Sequence, residues 1–178
     1  MNHYRPAVQR CTTALAKIAL ASASALFLAS TANAVEPLPT QVYLPLTLAQ
    51  TAANVALKKC TDGGYRISVA VTDRAGVITV LLRGNGAGVH TVDSSARKAY
   101  TAASMGRSTL ELANFIKDKP ELHGLRDMNE KILLLGGGLP IKMGDELVGG
   151  IGVGGTPSAV TDDACAQEGL DAILEKSK

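Results

Sequence analysis

The chain has 178 residues, 46% of them hydrophobic and 19% charged, with a formal net charge of +2 at pH 7. That balance lacks the basic excess with which proteins bind a phosphate backbone, so nucleic acid is not an expected partner. No apolar run approaches the about 20 residues needed to span a bilayer, so no stable membrane span is expected.

Residues 1–34 read as a removable secretory signal peptide. Arg5, Arg10 and Lys17 form a basic leader without acids, residues 18–29 are apolar, and Ala32-Asn33-Ala34 supplies a small-x-small cleavage pattern. Val35, rather than Cys, follows the expected cut, which argues against a lipoprotein. Cleavage would take three of the 18 Lys and Arg and none of the 16 acids, leaving 15 basic against 16 acidic residues. It would also remove Cys11, leaving Cys60 and Cys165 as an even pair in an oxidising compartment, where a disulfide is expected. The expected location is periplasmic or secreted.

Residues 35–46 carry three prolines and read as an extended N-terminal arm. A helix is expected from Thr47, whose spacing to Gln50 suits a capping box. Leu48, Ala52, Val55 and Ala56 would share one face, Lys58 and Lys59 suit the helix end, and Gly63-Gly64 stops it. The period then changes from 3.6 to 2. Ile67, Val69 and Val71 alternate with Arg66, Ser68 and Thr72 as a half-buried strand. Asp73-Arg74-Ala75-Gly76 is turn chemistry, and residues 77–83 complete a hairpin. After the glycine-rich loop 84–88, a helix opening at Thr91 or Ser94 runs to about Met105, before Gly106. Ser108 and Glu111 form a second capping box, starting a short helix that Pro120 ends. Residues 121–129 show no clear period. Residues 132–135, 139–143 and 146–153 read as three short strands, and Thr161, Asp162 and Asp163 open a last helix reaching about Glu175. Hairpins with helices returning to the sheet faces make an α+β fold, with one domain over residues 47–178.

Few residues carry obvious chemistry. The run Gly150-Ile151-Gly152-Val153-Gly154-Gly155 superficially resembles a dinucleotide loop, but no second strand of a βαβ unit follows and the lysine of a P-loop is missing. Its glycines are read as permitting close packing and tight turns. There is no nucleophile elbow, CxxC or HExxH, and only His90 and His123 lie outside the leader, which excludes a His-rich metal cage. Asp162 and Asp163 are expected to cap a helix and complement its dipole. The most informative stretch, residues 83–100, joins the glycine loop to a helix start and concentrates His90, Arg97, Lys98 and Tyr100. Arg97 lies one turn from Asp93 and can pair with it. An imidazole at such a junction can cap the backbone, hydrogen-bond a carboxylate or ligate iron.

The segments VAVTDRAGVITVLLRGNGAGVHTVDSSARKAYTAAS, LLLGGGLPI and VGGIGVGGTPSAVTDDACAQEGLDAI together resemble the GlcG/HbpS-like heme-binding family over residues 46–174. The resemblance implies a profilin-like fold, a central antiparallel β-sheet flanked by helices, and a homo-oligomer. It implies heme, or a similar flat anionic molecule, as the small-molecule ligand, held for capture, storage or sensing. His90 is then the expected axial iron ligand, with Met105, His123 and Met128 as competing donors. Arg83, Arg97 and Lys98 are the expected propionate partners, and Tyr100 a stacking or ligating face. Gly154 departs from the family's strand ending, which carries a hydroxyl there. Two alternatives stand beside heme binding. One is an enzyme acting on a small carboxylate or aldehyde with His90 or Lys98 as acid or base. The other is a ligand-free oligomeric interaction or sensor-accessory module.

Overall fold

The computed structural model describes residues 37–174, and the expected signal segment 1–34 and its cleavage site lie outside the described residues. All regular elements fall in one compact unit that begins at Gln41. Helix α1 (Leu46–Asp62) starts one residue before the expected position, and the Thr47–Gln50 capping box does not form. Pro45 is the N-cap instead, extended at φ −60° and ψ 141°, and its carbonyl accepts both the Leu48 and Ala49 amides at 3.0 Å. The pyrrolidine ring fixes φ, so the carbonyl is already placed for the first turn. The buried stripe of α1 is Ala49, Ala52, Ala53, Ala56 and Cys60, with Leu48 only partly buried at its margin.

Strand β1 (Ser68–Asp73) pairs antiparallel with β2 (Ile78–Arg83) around a turn in which the Asp73 carboxylate accepts the Val77 amide at 2.9 Å. β1 is not half-buried as its alternation suggests: Ser68 to Thr72 are all buried. The sheet order β2-β1-β4-β3 places it centrally, paired on its other side with β4 (Glu146–Gly154), which in turn pairs with β3 (Gly138–Met143). Both faces of the sheet are covered. Val69 and Val71 join the core beneath α1 and α4 (Ala159–Leu174). Ser68, on the opposite pleat, shares a 2.7 Å hydroxyl–hydroxyl hydrogen bond with Thr91 of α2 (His90–Met105). A disulfide joins Cys60 of α1 to Cys165 of α4, with both residues buried.

Helix α2 rests on β4 across glycine. A Cβ at Gly150 would collide with the Ala99 carbonyl oxygen, and one at Gly152 with that of Ser95. The glycine run is therefore a strand that admits a helix backbone at close range, the role expected of it. α2 ends at Gly106, left-handed at φ 63°. α3 (Thr109–Ile116) is capped by the Ser108 hydroxyl, which accepts the Leu110 and Glu111 amides, and a 3-10 helix over Pro120–Arg126 follows.

Residues 132–135 are not the strand their apolar run suggests. Their backbone finds side chains instead of a ladder. Arg97 Nη2 donates to the Ile132 carbonyl at 2.7 Å, Leu133 N–H to Thr101 Oγ1 at 2.9 Å, and Thr109 Oγ1 to the Leu135 carbonyl at 2.7 Å. The result is an α+β fold of four antiparallel strands with helices on both faces.

Candidate functional site

Helix geometry sorts the informative residues of α2 onto different faces. Asp93, Ala96, Arg97 and Tyr100 follow i, i+3, i+4, i+7 spacing and line a hollow of about 420 Å³. Its other wall is the β1–β2 turn and the start of β2, from Ala75 to Ile78, and Lys131 closes the rim. Gly76 is left-handed at φ 78°, and the Tyr100 ring lies so close that a Cβ there would sit 2.6 Å from it. Turn and ring therefore shape one edge of the hollow together. Val77 and Ile78 remain 61% and 47% exposed, an apolar wall with nothing covering it among the described residues.

Two cations face that wall. Arg97 Nη2 is held by the Ile132 carbonyl, and Nη1 lies 3.7 Å from Asp93. Asp93 is 73% exposed, so this pair contributes little stability. Arg97 Nε is buried without a hydrogen-bond partner among the described residues. Lys131 Nζ stands 5.4 Å from the centroid of the Tyr100 ring, within cation–π range.

The remaining expected residues are elsewhere. Lys98, one position after Arg97, points inward and is buried. Its ammonium donates to Asp162 and to the Val153 carbonyl, both at 2.8 Å, so the structure corrects its assignment as a ligand-facing cation. The physical reason is the 100° step between neighbouring helix residues, which turns Lys98 inward against β4, where it meets the Val153 carbonyl and the Asp162 carboxylate at the start of α4. Arg83 lines a separate hollow at the far end of β2, with its guanidinium on the Ala87 carbonyl. His90 is exposed at the first position of α2, outside the hollow's lining, and its ring folds back over Gly88. Met105, His123 and Met128 line neither hollow.

Asp162 and Asp163 do more than begin a helix. Asp162 holds Lys98 and accepts the Thr156 amide, while Asp163 accepts the Gly137 amide. Burial raises the Asp163 pKa above its ordinary value of 3.8, an effect the Gly137 hydrogen bond and the Lys98 charge oppose. Gly154 lies under Ser94, whose hydroxyl oxygen would be 2.6 Å from a Cβ there, so this strand position faces α2.

Sequence reasoning missed Lys131 and the Val77–Ile78 wall. Lys131 follows a segment without periodicity, and only the path of residues 127–135 along α2 brings it to Tyr100. Val77 and Ile78 did carry a signal: two consecutive apolar residues at a strand start cannot both face one core. Among the described residues no three His, Cys, Asp or Glu side chains converge as a metal site, and no helix is long and apolar enough to cross a membrane.

Residues 44–171 match the family described as "Haem degrading protein HbpS-like". The chain is 40% identical to a variant of Streptomyces reticuli HbpS, with a TM-score of 0.70 over 75% of this chain and 89% of that one. It is 30% identical to Klebsiella pneumoniae protein ORFY, with a TM-score of 0.72 over 78% and 97%. It is also 26% identical to the protein in a PduOC–heme complex, with a TM-score of 0.69 over 74% and 95%.

Proposed function

The chain belongs to the HbpS-like family, and we propose that it binds heme on the outer face of α2, in the hollow between Tyr100 and the start of β2. The observation that carries this reading is an exposed apolar wall facing two cations. Val77, Ile78, Ala96 and the Tyr100 ring offer a surface for a flat macrocycle, and Arg97 and Lys131 offer positive charge for propionates. A volume of about 420 Å³ lies within the usual range for small-molecule sites. The similarity to the protein of a heme complex supports the same choice of ligand.

The residues fit the group with one division of labour. Tyr100 and Asp93 are the oxygen donors in the lining, and no nitrogen or sulfur ligand is among them apart from the cations. His90 opens the same helical stripe, about 10 Å along the axis from Arg97. Its imidazole is exposed and has no hydrogen-bond partner among the described residues. His90 is our proposed iron ligand, with Arg97 and Lys131 holding the propionates. Bound heme would supply an iron centre for ligand binding or electron exchange. The enzyme alternative is weakened because Lys98 is buried against Asp162 and does not face the hollow as an acid or base.

The proposal includes export and self-association. The basic leader, apolar run and Ala-Asn-Ala pattern support cleavage after Ala34, which N-terminal sequencing of the exported protein checks. The edge strand β2, with Leu81 exposed outside the heme hollow, supports self-association, which light scattering checks. Heme binding is tested by titrating the protein with hemin and with metal-free protoporphyrin IX. A shifted Soret band with hemin, lost in His90→Ala while protoporphyrin still binds, is the expected result. A protein that leaves the hemin spectrum unchanged rejects the reading and favours the interaction-module alternative.

A further inference from the structure

We propose a second ligand site, for a phosphate-type dianion, in the hollow between the end of α1 and the end of β2. This hollow has a volume of about 480 Å³, and its lining includes Leu57, Tyr65, Arg66, Arg83, Gly84 and Asn85. Two of those side chains are guanidiniums and none is a carboxylate. Both arginines are exposed and neither has an acidic partner among the described residues, so an anion held in this hollow would supply the missing counter-charge.

The two arginines are differently prepared. Arg83 donates Nε and Nη2 to the Ala87 carbonyl, which fixes the plane of its guanidinium and leaves Nη1 without a partner among the described residues. Arg66 has no hydrogen bond or ion pair among the described residues. Its stem crosses Gly86, where a Cβ would lie 3.1 Å from Arg66 Cδ and where φ is +75°. A side chain at Gly86 would crowd this stem. The strand register holds the site's parts together: Ser68 pairs with Arg83, and the Gly84 amide donates to the Ile67 carbonyl at 2.8 Å. The floor is equally fixed, because Cys60 is tied by its disulfide to α4 and its carbonyl accepts the Tyr65 amide at 3.0 Å.

The carbonyls at the end of α1 do not account for the arginines. Gly63, Gly64 and Tyr65 amides donate to the Lys59, Thr61 and Cys60 carbonyls. The nearby Asp62 carboxylate is taken by Lys58 at 2.6 Å. What remains is a set of exposed donors that separate elements contribute to one hollow: Arg66 before β1, Arg83 at the end of β2, and the Asn85 amide in the following loop. Donors arriving from several directions suit a tetrahedral oxyanion better than a planar carboxylate, and guanidiniums bind phosphate in bidentate fashion. The site is distinct from the heme hollow. Ile78 belongs to one and Arg83 to the other, five residues apart on β2 and so about 17 Å apart.

The test is calorimetric titration of the disulfide-intact protein with inorganic phosphate, glycerol 3-phosphate and succinate. Saturable phosphate binding is expected, weakened about tenfold by Arg66→Ala and partly restored by Arg66→Lys, which keeps charge but not the fork. Arg66→Ala is expected to leave the hemin titration unchanged. Tighter binding of glycerol 3-phosphate than of phosphate would support a phosphoester source lying on Leu57 and Tyr65, and equal binding a free phosphate. Absence of phosphate binding at millimolar concentration, wild-type affinity in Arg66→Ala, or succinate binding as tight as phosphate would each overturn the proposal. So would a parallel loss of hemin binding in Arg66→Ala, which would merge the two sites. A failed hemin titration alongside intact phosphate binding would reject the heme reading only.

Discussion

The inner and outer faces of α2 meet opposite conditions, although their residues alternate along one short stretch of chain. The inner face carries Ser95, Lys98, Ala99 and Ala102, all buried, and it presses its backbone against Gly150 and Gly152 of β4. The outer face carries Asp93, Ala96, Arg97 and Tyr100 and borders an open hollow. Packing dominates the first, so any change in volume or charge there is felt by the whole fold. Solvent screens the second, where groups keep spare bonding capacity for a ligand. The neighbours Arg97 and Lys98 make the contrast sharpest. One guanidinium stays a third exposed, while one ammonium is sealed against Asp162.

The comparison can be broken hardest at Lys98. Lys98→Met leaves the Asp162 carboxylate buried without its cation and is expected to cost about 3–5 kcal/mol in chemical denaturation. Adding Asp162→Asn should recover part of that loss, since the amide oxygen still accepts from Thr156. If Lys98→Met instead left stability unchanged and abolished hemin binding, the assignment of faces would be reversed.

Reduction of the Cys60–Cys165 disulfide is expected to cost about 2–5 kcal/mol, read as a lower Tm. The bond ties α1 to α4, so hemin affinity at a temperature where the reduced protein is folded should hold. Gly152→Ala forces a methyl toward the Ser95 carbonyl and is expected to cost about 1–3 kcal/mol, measured by urea unfolding.

On the outer face the order of effects inverts. Arg97→Ala combined with Lys131→Ala is expected to change stability by less than about 0.5 kcal/mol. The same pair should weaken hemin binding about tenfold, equivalent to about 1.4 kcal/mol. The smallest effect is expected at Asp163. Its folded pKa is raised, so the folded state holds this proton to higher pH than the unfolded chain. Stability should therefore fall as pH rises from the ordinary value of 3.8 through the raised one. Asp163→Asn removes that slope while its side-chain oxygen can still accept the Gly137 amide. Tm measured across this window should be flatter in the variant.

Much of the fold was legible because its signals are local. The β1–β2 hairpin follows from alternation and the Asp73–Gly76 turn. The Ser108 cap, the Gly106 stop and the glycine run of β4 each express a backbone requirement that one residue type meets. The errors came where a local signal met a stronger neighbour. Thr47 had capping chemistry, but Pro45 before it already presented a carbonyl. Residues 132–135 had strand composition, but Arg97, Thr101 and Thr109 bound their backbone groups first.

The candidate site was less legible. Arg97 and Tyr100 were found together because three residues along a helix is a neighbourly spacing, and Lys98 was swept in with them because sequence adjacency does not reveal which face is buried. Lys131 was absent because its nearness to Tyr100 depends on a non-helical, non-strand path. By itself the sequence determined the α+β class, the hairpin, most helix limits and the resemblance to a heme-binding family, all of which rest on interactions between residues close in the chain or on motifs of residue type. Only the tertiary structure decided which face of α2 is sealed, that Arg83 and Arg97 serve different hollows, and that β1 is buried on both sides. Those outcomes depend on which distant segments pack against each residue, and burial is a property of that packing rather than of the residue.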